Sequence, residues 1–204
     1  SLGNLLRPVV IGDFADQAGV ALPSSFTTLT TTDESVLRPL TTGGFVVADT
    51  GFAALVASRG SIQGATAVIA GRPNRFQQVQ LVSGLDVYPQ ALTLVPLTGS
   101  KPLLVQIGDG GADIAGTATG TQYFAGNSNV LGVGTDGLVS ARGEGLSEVT
   151  IIHRGAEFVV PVRVQAPLLD RALLGAAGGA VRAADGAVVA IAPNSLDGEQ
   201  LVSF

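Results

Sequence analysis

The chain has 204 residues, enough for one or two domains, and only 13% of them are charged, against roughly 25% in a typical soluble domain. Hydrophobic residues reach 46%, and the formal net charge is −5 with no cluster of lysine or arginine. A nucleic-acid-binding surface needs a basic patch, so that class is excluded. The lack of cysteine excludes disulfides, thiolate catalysis and cysteine-based metal sites.

No apolar run of the sequence reaches the ~20 residues that span a bilayer. The longest candidate, 172–192, is interrupted by Arg182 and Asp185. Because the chain also lacks methionine, we expect Ser1 to be a cut or processed end from which any signal peptide has been removed.

A first β module is predicted over residues 1–72, where short apolar segments alternate with turns that contain glycine and aspartate. Threonine-rich and β-branched stretches suit strands. The predicted strands are 8–11, 26–32, 36–37, 45–47, 52–57 and 65–70.

A second module is predicted over residues 73–166. In its last third, apolar residues alternate with others, which is the period-2 pattern of strands with one buried face. The polar, glycine-containing segment 153–157 is predicted to be a hairpin loop, and Asp136-Gly137 marks another turn. Turns about every ten residues indicate a β-sandwich. The predicted core residues are Leu138, Val149, Ile151, Val160, Val162 and Val164.

The two modules repeat each other at an offset of 94 residues, with compensating one-residue gaps near Gly44 and Gly143. The same offset is found at both ends and in the middle of the modules, which indicates a duplication. The matching pairs are Arg7-Pro8 with Lys101-Pro102, 35–37 with 129–131, Gly51-Phe52 with Gly145-Leu146, Leu55 with Val149, and Val68 with Val162. The first module has only six residues before Arg7, so it lacks a counterpart of the opening strand. We expect either a cut chain or another segment that supplies this strand.

Residues 167–204 differ from both modules. Segment 168–174 is predicted to be a short helical turn or an apolar connector. Segments 178–181 and 184–191 are predicted to form two strands around the Asp185-Gly186 turn. A piece below about 40 residues rarely folds alone, so this tail is expected to pack on a neighbour or to begin a further module.

The second module has a characteristic order and spacing of turn and strand motifs in segments 127–130, 134–141, 143–145, 149–151 and 160–164. Through these segments it resembles the bacterial Ig-like domains of group 2, the BIG2 type of intimin- and invasin-like adhesins and other surface proteins. The resemblance covers roughly residues 84–166, and the first module resembles a more divergent copy through 33–36 and 44–48. Pro39 and the missing first strand depart from the pattern. The tail is similar to the opening of another β module of bacterial surface proteins.

This resemblance implies an all-β fold of tandem immunoglobulin-like antiparallel β-sandwiches, plus a short C-terminal β segment. It also implies non-catalytic spacer modules of a large exported bacterial protein, at the cell surface or outside the cell, with neighbouring modules as partners. Two alternatives stay open. The chain could be a subunit of a surface assembly or filament joined by β-strand exchange, or an adhesion module that binds a host protein or glycan through loops at one sandwich end.

Side chains with catalytic potential are few. His153 is the single histidine and is predicted to lie exposed in the hairpin loop, with no second histidine to build a metal or catalytic site. Segment 132–137 matches Gly-x-Gly-x-x-Gly, but a short strand follows it where a dinucleotide fingerprint needs a helix, so it is interpreted as a turn. No enzymatic activity is predicted.

Calcium is the one ion for which the sequence offers a candidate site. Asp109 and Asp113 place two carboxylates in a glycine-rich loop, and Asp13 and Asp16 lie in the matching loop of the first module. The alternative is a solvated turn at the sandwich end, because calcium takes six to eight oxygens. Surface aromatics that could stack on sugars are scarce, and Tyr123 is predicted to be core or half-buried.

Overall fold

The computed structural model describes residues 2–71, 84–108 and 110–204. Within these ranges the chain forms 22 strands and a single 3₁₀ turn, Thr117–Thr119. The prediction of an all-β fold is confirmed. In the same ranges the structure contains no helix long and apolar enough to cross a membrane.

The first module is built from two facing sheets and a short hairpin, all antiparallel. The sheets have the orders β1-β6-β5 and β4-β7-β8, and the hairpin is β2-β3. Its strands are β1 (Leu5–Leu6), β2 (Val10–Gly12), β3 (Val20–Leu22), β4 (Thr28–Thr31), β5 (Leu37–Pro39), β6 (Phe45–Val47), β7 (Gly51–Arg59) and β8 (Ile62–Ala70). The buried residues between the sheets are Val36, Leu37, Phe45, Ala53, Leu55 and Ala70.

The second module is a more complete sandwich. One sheet has the order β10-β17-β16-β13, and the facing layer consists of β9-β12 and β11-β15-β14. Only Leu103 separates β11 from β12, so these two act as one strand and the layer has four strands. Two packed layers of this kind are typical of an immunoglobulin-like sandwich. The strands are β9 (Leu85–Tyr88), β10 (Leu92–Leu94), β11 (Ser100–Pro102), β12 (Leu104–Ile107), β13 (Gln122–Ala125), β14 (Leu131–Val133), β15 (Leu138–Ala141), β16 (Gly145–His153) and β17 (Ala156–Val164).

The strands of the two modules recur at the offset found in the sequence. The bounds of β4, β5, β7 and β8 lie 94 residues before those of β13, β14, β16 and β17. The pairing repeats as well, since Thr28 pairs with Ser58 and Gln122 pairs with Ile152. The module boundaries 1–72, 73–166 and 167–204 stay predictions, because the first of them falls next to residues outside the described ranges.

Most of the predicted core lies where alternation places it. Five predicted residues are at most 2% exposed: Val149, Ile151, Val160, Val162 and Val164. They belong to the hairpin β16–β17, in which Val149 pairs with Val160 and Ile151 with Phe158. The inward face of this hairpin is therefore confirmed.

Leu138 is the one wrong core prediction. It is 38% exposed, whereas Val139 is fully buried. The reason is the tight turn before it, in which the Gly134 N–H donates to the Leu138 carbonyl (2.8 Å) and the Leu138 N–H donates to Asp136 Oδ1 (3.1 Å). The turn makes Leu138 the first residue of β15, and a shift of one residue exchanges the two faces of a strand.

The tail is also built from strands. The predicted helical turn or connector at 168–174 is wrong, because this segment forms β18 (Leu168–Leu169) and β19 (Arg171–Leu174), and its backbone pairs with later strands. The predicted turn at Asp185-Gly186 is confirmed between β20 (Gly179–Arg182) and β21 (Val188–Ile191), which contact β10. A final strand, β22 (Gln200–Ser203), pairs with β19.

Candidate functional site

His153 is buried, and the prediction of an exposed loop histidine is wrong. It ends β16 with only 1% of its surface exposed. The turn is shorter than the predicted 153–157, because Arg154 and Gly155 alone connect the strands, both with positive φ (45° and 88°). His153 and Ala156 therefore close the strand ladder as its last pair.

The ring of His153 serves a structural hydrogen bond. Its Nδ1 lies 3.0 Å from Thr121 Oγ1, and that hydroxyl in turn donates to the Ile114 carbonyl (2.6 Å). This arrangement favours the tautomer in which Nδ1 carries the proton and donates it to the hydroxyl. Among the described residues, Nε2 has no hydrogen-bond partner. Burial, with Arg154 nearby as the smaller cause, lowers the pKa of His153.

We expect the second module to lose stability as the pH falls below about 6.5, the ordinary histidine value. The folded state holds His153 neutral, so the unfolded state binds the proton first and the free energy of unfolding falls by up to about 1.4 kcal/mol per pH unit. The loss ends below the lowered folded pKa. Urea unfolding of wild type and His153→Gln between pH 5 and 8 measures this effect. The free energy of unfolding of the wild type should exceed that of His153→Gln by less as the pH falls. If the two proteins lost stability in parallel with falling pH, His153 would not be the group responsible.

The glycine motif at 132–137 is a hairpin turn, as predicted. The Gly137 N–H donates to the Gly134 carbonyl (3.1 Å), and β15 follows directly. The segment that follows this turn is a strand and not a helix. The dinucleotide fingerprint thus has neither the helix nor the geometry that it needs.

The calcium candidates fall partly outside the described residues. Asp109 lies outside them, while Asp113 is exposed and its Oδ1 accepts a hydrogen bond from the Ala115 N–H (2.9 Å). In the first module, Asp13 Oδ1 accepts from the Gly19 N–H (2.7 Å). The carboxylates of Asp13 and Asp113 thus each close their own loop. In the described ranges no three histidine, aspartate or glutamate side chains form a metal-binding group. Calcium binding at Asp109 and Asp113 stays a prediction.

Tyr123 is half-buried in β13, as predicted, and it anchors the loop in front of that strand. Its hydroxyl donates to the Ala115 carbonyl at 2.6 Å. Burial, followed by the charges of Asp113 and Asp136, raises the pKa of Tyr123 to about 12. The Tyr123 side chain therefore stabilises this loop, and its half-buried ring is not an exposed surface on which a sugar could stack.

The first and second modules contact each other at a junction along β8. Strand β8, at the edge of its sheet, meets the end of β13, at the edge of the facing module's sheet. The Gln63 N–H donates to the Gly126 carbonyl, and the Ser128 N–H donates to the Ser61 carbonyl, both at 2.9 Å. These two bonds form an antiparallel bridge that joins the two sheet edges.

The tip of the β16–β17 hairpin makes a second contact with β8. Glu157 Oε2 accepts hydrogen bonds from the Thr66 hydroxyl (3.1 Å) and from the Ala67 N–H (2.8 Å). A Cβ atom at Gly155 would lie only 2.7 Å from Ile69 Cγ1 and 3.5 Å from Phe52 Cδ1, so the tip rests closely on the first module. Two separate contacts on one strand fix the relative orientation of the modules.

Sequence patterns alone did not reveal this junction. Glu157 belongs to the predicted hairpin loop 153–157, and an acidic residue beside a turn is ordinary for a loop. The one usable signal is Gly155, because a glycine at a two-residue turn also allows a neighbour to approach closely.

Comparison with known proteins gives only distant likenesses. No family model and no curated protein matches the chain. Among solved structures, the chain is similar to surface layer protein SbsC, domains 1–6, with 17% identity, a TM-score of 0.37, and coverage of 85% of this chain and 26% of that one. Domains 4 and 5 of the same S-layer protein align with 18% identity and a TM-score of 0.33, over 75% of this chain and 79% of that one.

The chain thus spans about a quarter of the first of these structures. TM-scores this low carry no inference about function, and the resemblance to BIG2 domains stays a prediction.

Proposed function

We propose that the chain is a pair of non-catalytic, immunoglobulin-like spacer modules from a large exported bacterial surface or secreted protein. The observation that carries the proposal is the junction on β8, where backbone bonds at Gln63 and Ser128 and side-chain bonds from Glu157 hold one sandwich against the next. Modules joined in this way keep a fixed spacing, which is what a spacer requires. The location outside the cytoplasm rests on the resemblance of 84–166 to surface modules.

Three polar groups that could do chemistry are engaged in structural bonds. His153 is buried against Thr121, Asp113 closes a loop, and Glu157 holds the junction. A catalytic acid or base must reach a substrate in a cleft. The use of these groups as structural bonds favours a structural role over an enzymatic one.

We expect Glu157→Ala to loosen the junction without unfolding either module. The change removes two hydrogen bonds to a carboxylate, each contributing about 1 kcal/mol at an exposed site. Because the chain contains no cysteine, a spin-label pair can be introduced as Thr42→Cys and Thr135→Cys, at two exposed turn positions. Pulsed electron spin resonance should give one narrow distance distribution for the parent and a broad one for Glu157→Ala.

The matched control is Glu144→Ala, which removes the same charge from an exposed position of the same module. Its distance distribution should stay narrow. A narrow distribution in Glu157→Ala as well would mean that this carboxylate does not hold the modules. A broad distribution in the parent would overturn the spacer proposal itself.

A further inference from the structure

Two polar side chains lie next to each other on the outward face of the β10–β17 pair. Leu92 and Leu94 belong to the core of the second module, so Thr93 between them points outward. Thr93 is nevertheless only 5% exposed, and the tail strands β20 and β21 contact β10. On β17, Arg163 is the residue directly beside Thr93 in the parallel register. Thr93 and Arg163 are therefore neighbours on one face of the sheet.

Each of these two side chains contains a buried polar atom without a partner. Thr93 Oγ1 and Arg163 Nε form no hydrogen bond with any described residue. In the same ranges the guanidinium of Arg163 forms no ion pair with a carboxylate. Buried hydroxyls are normally hydrogen-bonded and partly buried charges are normally paired, because leaving them without partners costs free energy. Two such groups side by side indicate a common partner that the described chain does not supply.

Thr93 also forms part of the wall of a groove of about 490 Å³ between the second module and the tail. Among the described residues that line this groove, Lys101 carries the single charge, and Thr93, Thr98 and Ser100 supply hydroxyl groups. The tail side is lined by residues that have no polar side-chain atom: Gly186, Val188, Ala190 and Ala192. The lining residues thus offer a cation and several hydroxyl donors but no carboxylate.

We propose that an oxyanion, a phosphate or carboxylate group, binds at a seam site defined by Thr93, Lys101 and Arg163. The Thr93 hydroxyl and the Arg163 Nε–H donate hydrogen bonds to its oxygens, and the exposed Lys101 ammonium adds positive charge. Arginine suits this role because its planar, permanently charged side chain matches the oxygens of a carboxylate or phosphate. The inference goes beyond the proposed spacer function and does not depend on it.

The charges of the seam site favour an oxyanion over other occupants. A metal cation requires carboxylate or carbonyl oxygens, whereas the side chains here are a lysine and an arginine. A sugar ring is commonly held by an aromatic side chain, and the described residues that line the groove include none. A water molecule satisfies the Thr93 hydroxyl but leaves the charge of Arg163 unpaired. Both polar atoms are buried by the described residues themselves, so their need for a partner does not depend on exposed surface.

A titration with inorganic phosphate, followed by two-dimensional ¹H–¹⁵N NMR at an ionic strength held constant with chloride, tests the seam site. In the wild type, amide signals of segments 92–95 and 98–101 should shift and saturate. Acetate, titrated in the same way, distinguishes a carboxylate site from a phosphate site. Thr93→Val and Arg163→Gln should each weaken binding by about tenfold or more, because each removes a hydrogen bond to a charged group. Arg38→Gln is the control, since it removes an exposed guanidinium from the first module, and it should bind like wild type.

Thermal unfolding of Thr93→Val gives a second, independent readout. In chloride alone this variant should be at least as stable as the wild type, because valine has nearly the same shape and lacks the unpartnered hydroxyl. Phosphate at a saturating concentration should raise the Tm of the wild type but not that of the variant. The proposal would be overturned if neither probe gave saturable shifts, if binding survived either substitution, or if Thr93→Val lost stability in chloride alone.

Discussion

Val162→Asp is expected to unfold the second module at temperatures where the wild type is intact. Val162 is 2% exposed and lies inside the sheet, where it pairs with Leu92 on one side and Ser147 on the other. An unpaired carboxylate in this core should lower the free energy of unfolding by about 3–5 kcal/mol. That is a large share of the total for a domain, which is about 5–15 kcal/mol.

The two tyrosines make this test specific to one module. Tyr88 and Tyr123 are the only tyrosines of the chain, both fall in the second module, and tryptophan is absent. Near-ultraviolet circular dichroism therefore follows the second module while far-ultraviolet signals follow both. Val159→Asp, at a neighbouring position that is 41% exposed, is the matched control and should melt nearly like wild type. Near-wild-type melting of Val162→Asp would refute the register of β17.

Phe45→Ala should have a comparably large effect, confined to the first module. Phe45 is 2% exposed and, among the described residues, it is the largest side chain in a cluster of six buried residues, compared with 17 in the main cluster of the second module. Truncating a buried phenylalanine costs about 3–5 kcal/mol. A core with so few buried residues has little stability to spare.

Hydrogen exchange and the tyrosine signal together measure that effect. Amides of β5 to β8 should exchange faster in Phe45→Ala, while the near-ultraviolet melt of the second module stays in place. Phe26→Ala removes the same ring from a position that is 36% exposed and should change both readouts little. If the tyrosine melt moved together with the first module, the two sandwiches would be one cooperative unit and the assignment of separate modules would be wrong.

The fold could be predicted from the sequence where local patterns decide it. Alternation in β16 and β17 identified the inward face because each strand of this antiparallel pair carries apolar residues at every second position. The offset of 94 residues located equivalent strands in two places at once. Turn motifs such as Asp136-Gly137 and Asp185-Gly186 marked strand ends because glycine reaches positive φ without strain.

The remaining features depend on contacts between distant residues. The turn before β15 decides which residues of this strand face the core, and it buries Val139 in place of Leu138. Composition alone does not decide which face of a strand is buried. His153 is buried because the turn contains only two residues, so that His153 is still part of β16. The polar composition of segment 153–157 favours a longer loop. The junction depends on Glu157 reaching Thr66 and Ala67, some 90 residues earlier, and no local pattern encodes that pairing.

The parallel pairing of β10 with β17 has a mechanical consequence. Leu92 lies beside Val162 and Leu94 beside Val164, so a pull on the chain at both ends of this module slides the two strands lengthwise and loads their hydrogen bonds together. A hairpin pulled apart at its open end gives way one bond at a time. The β10–β17 pair is therefore expected to make the second module resist extension along the chain.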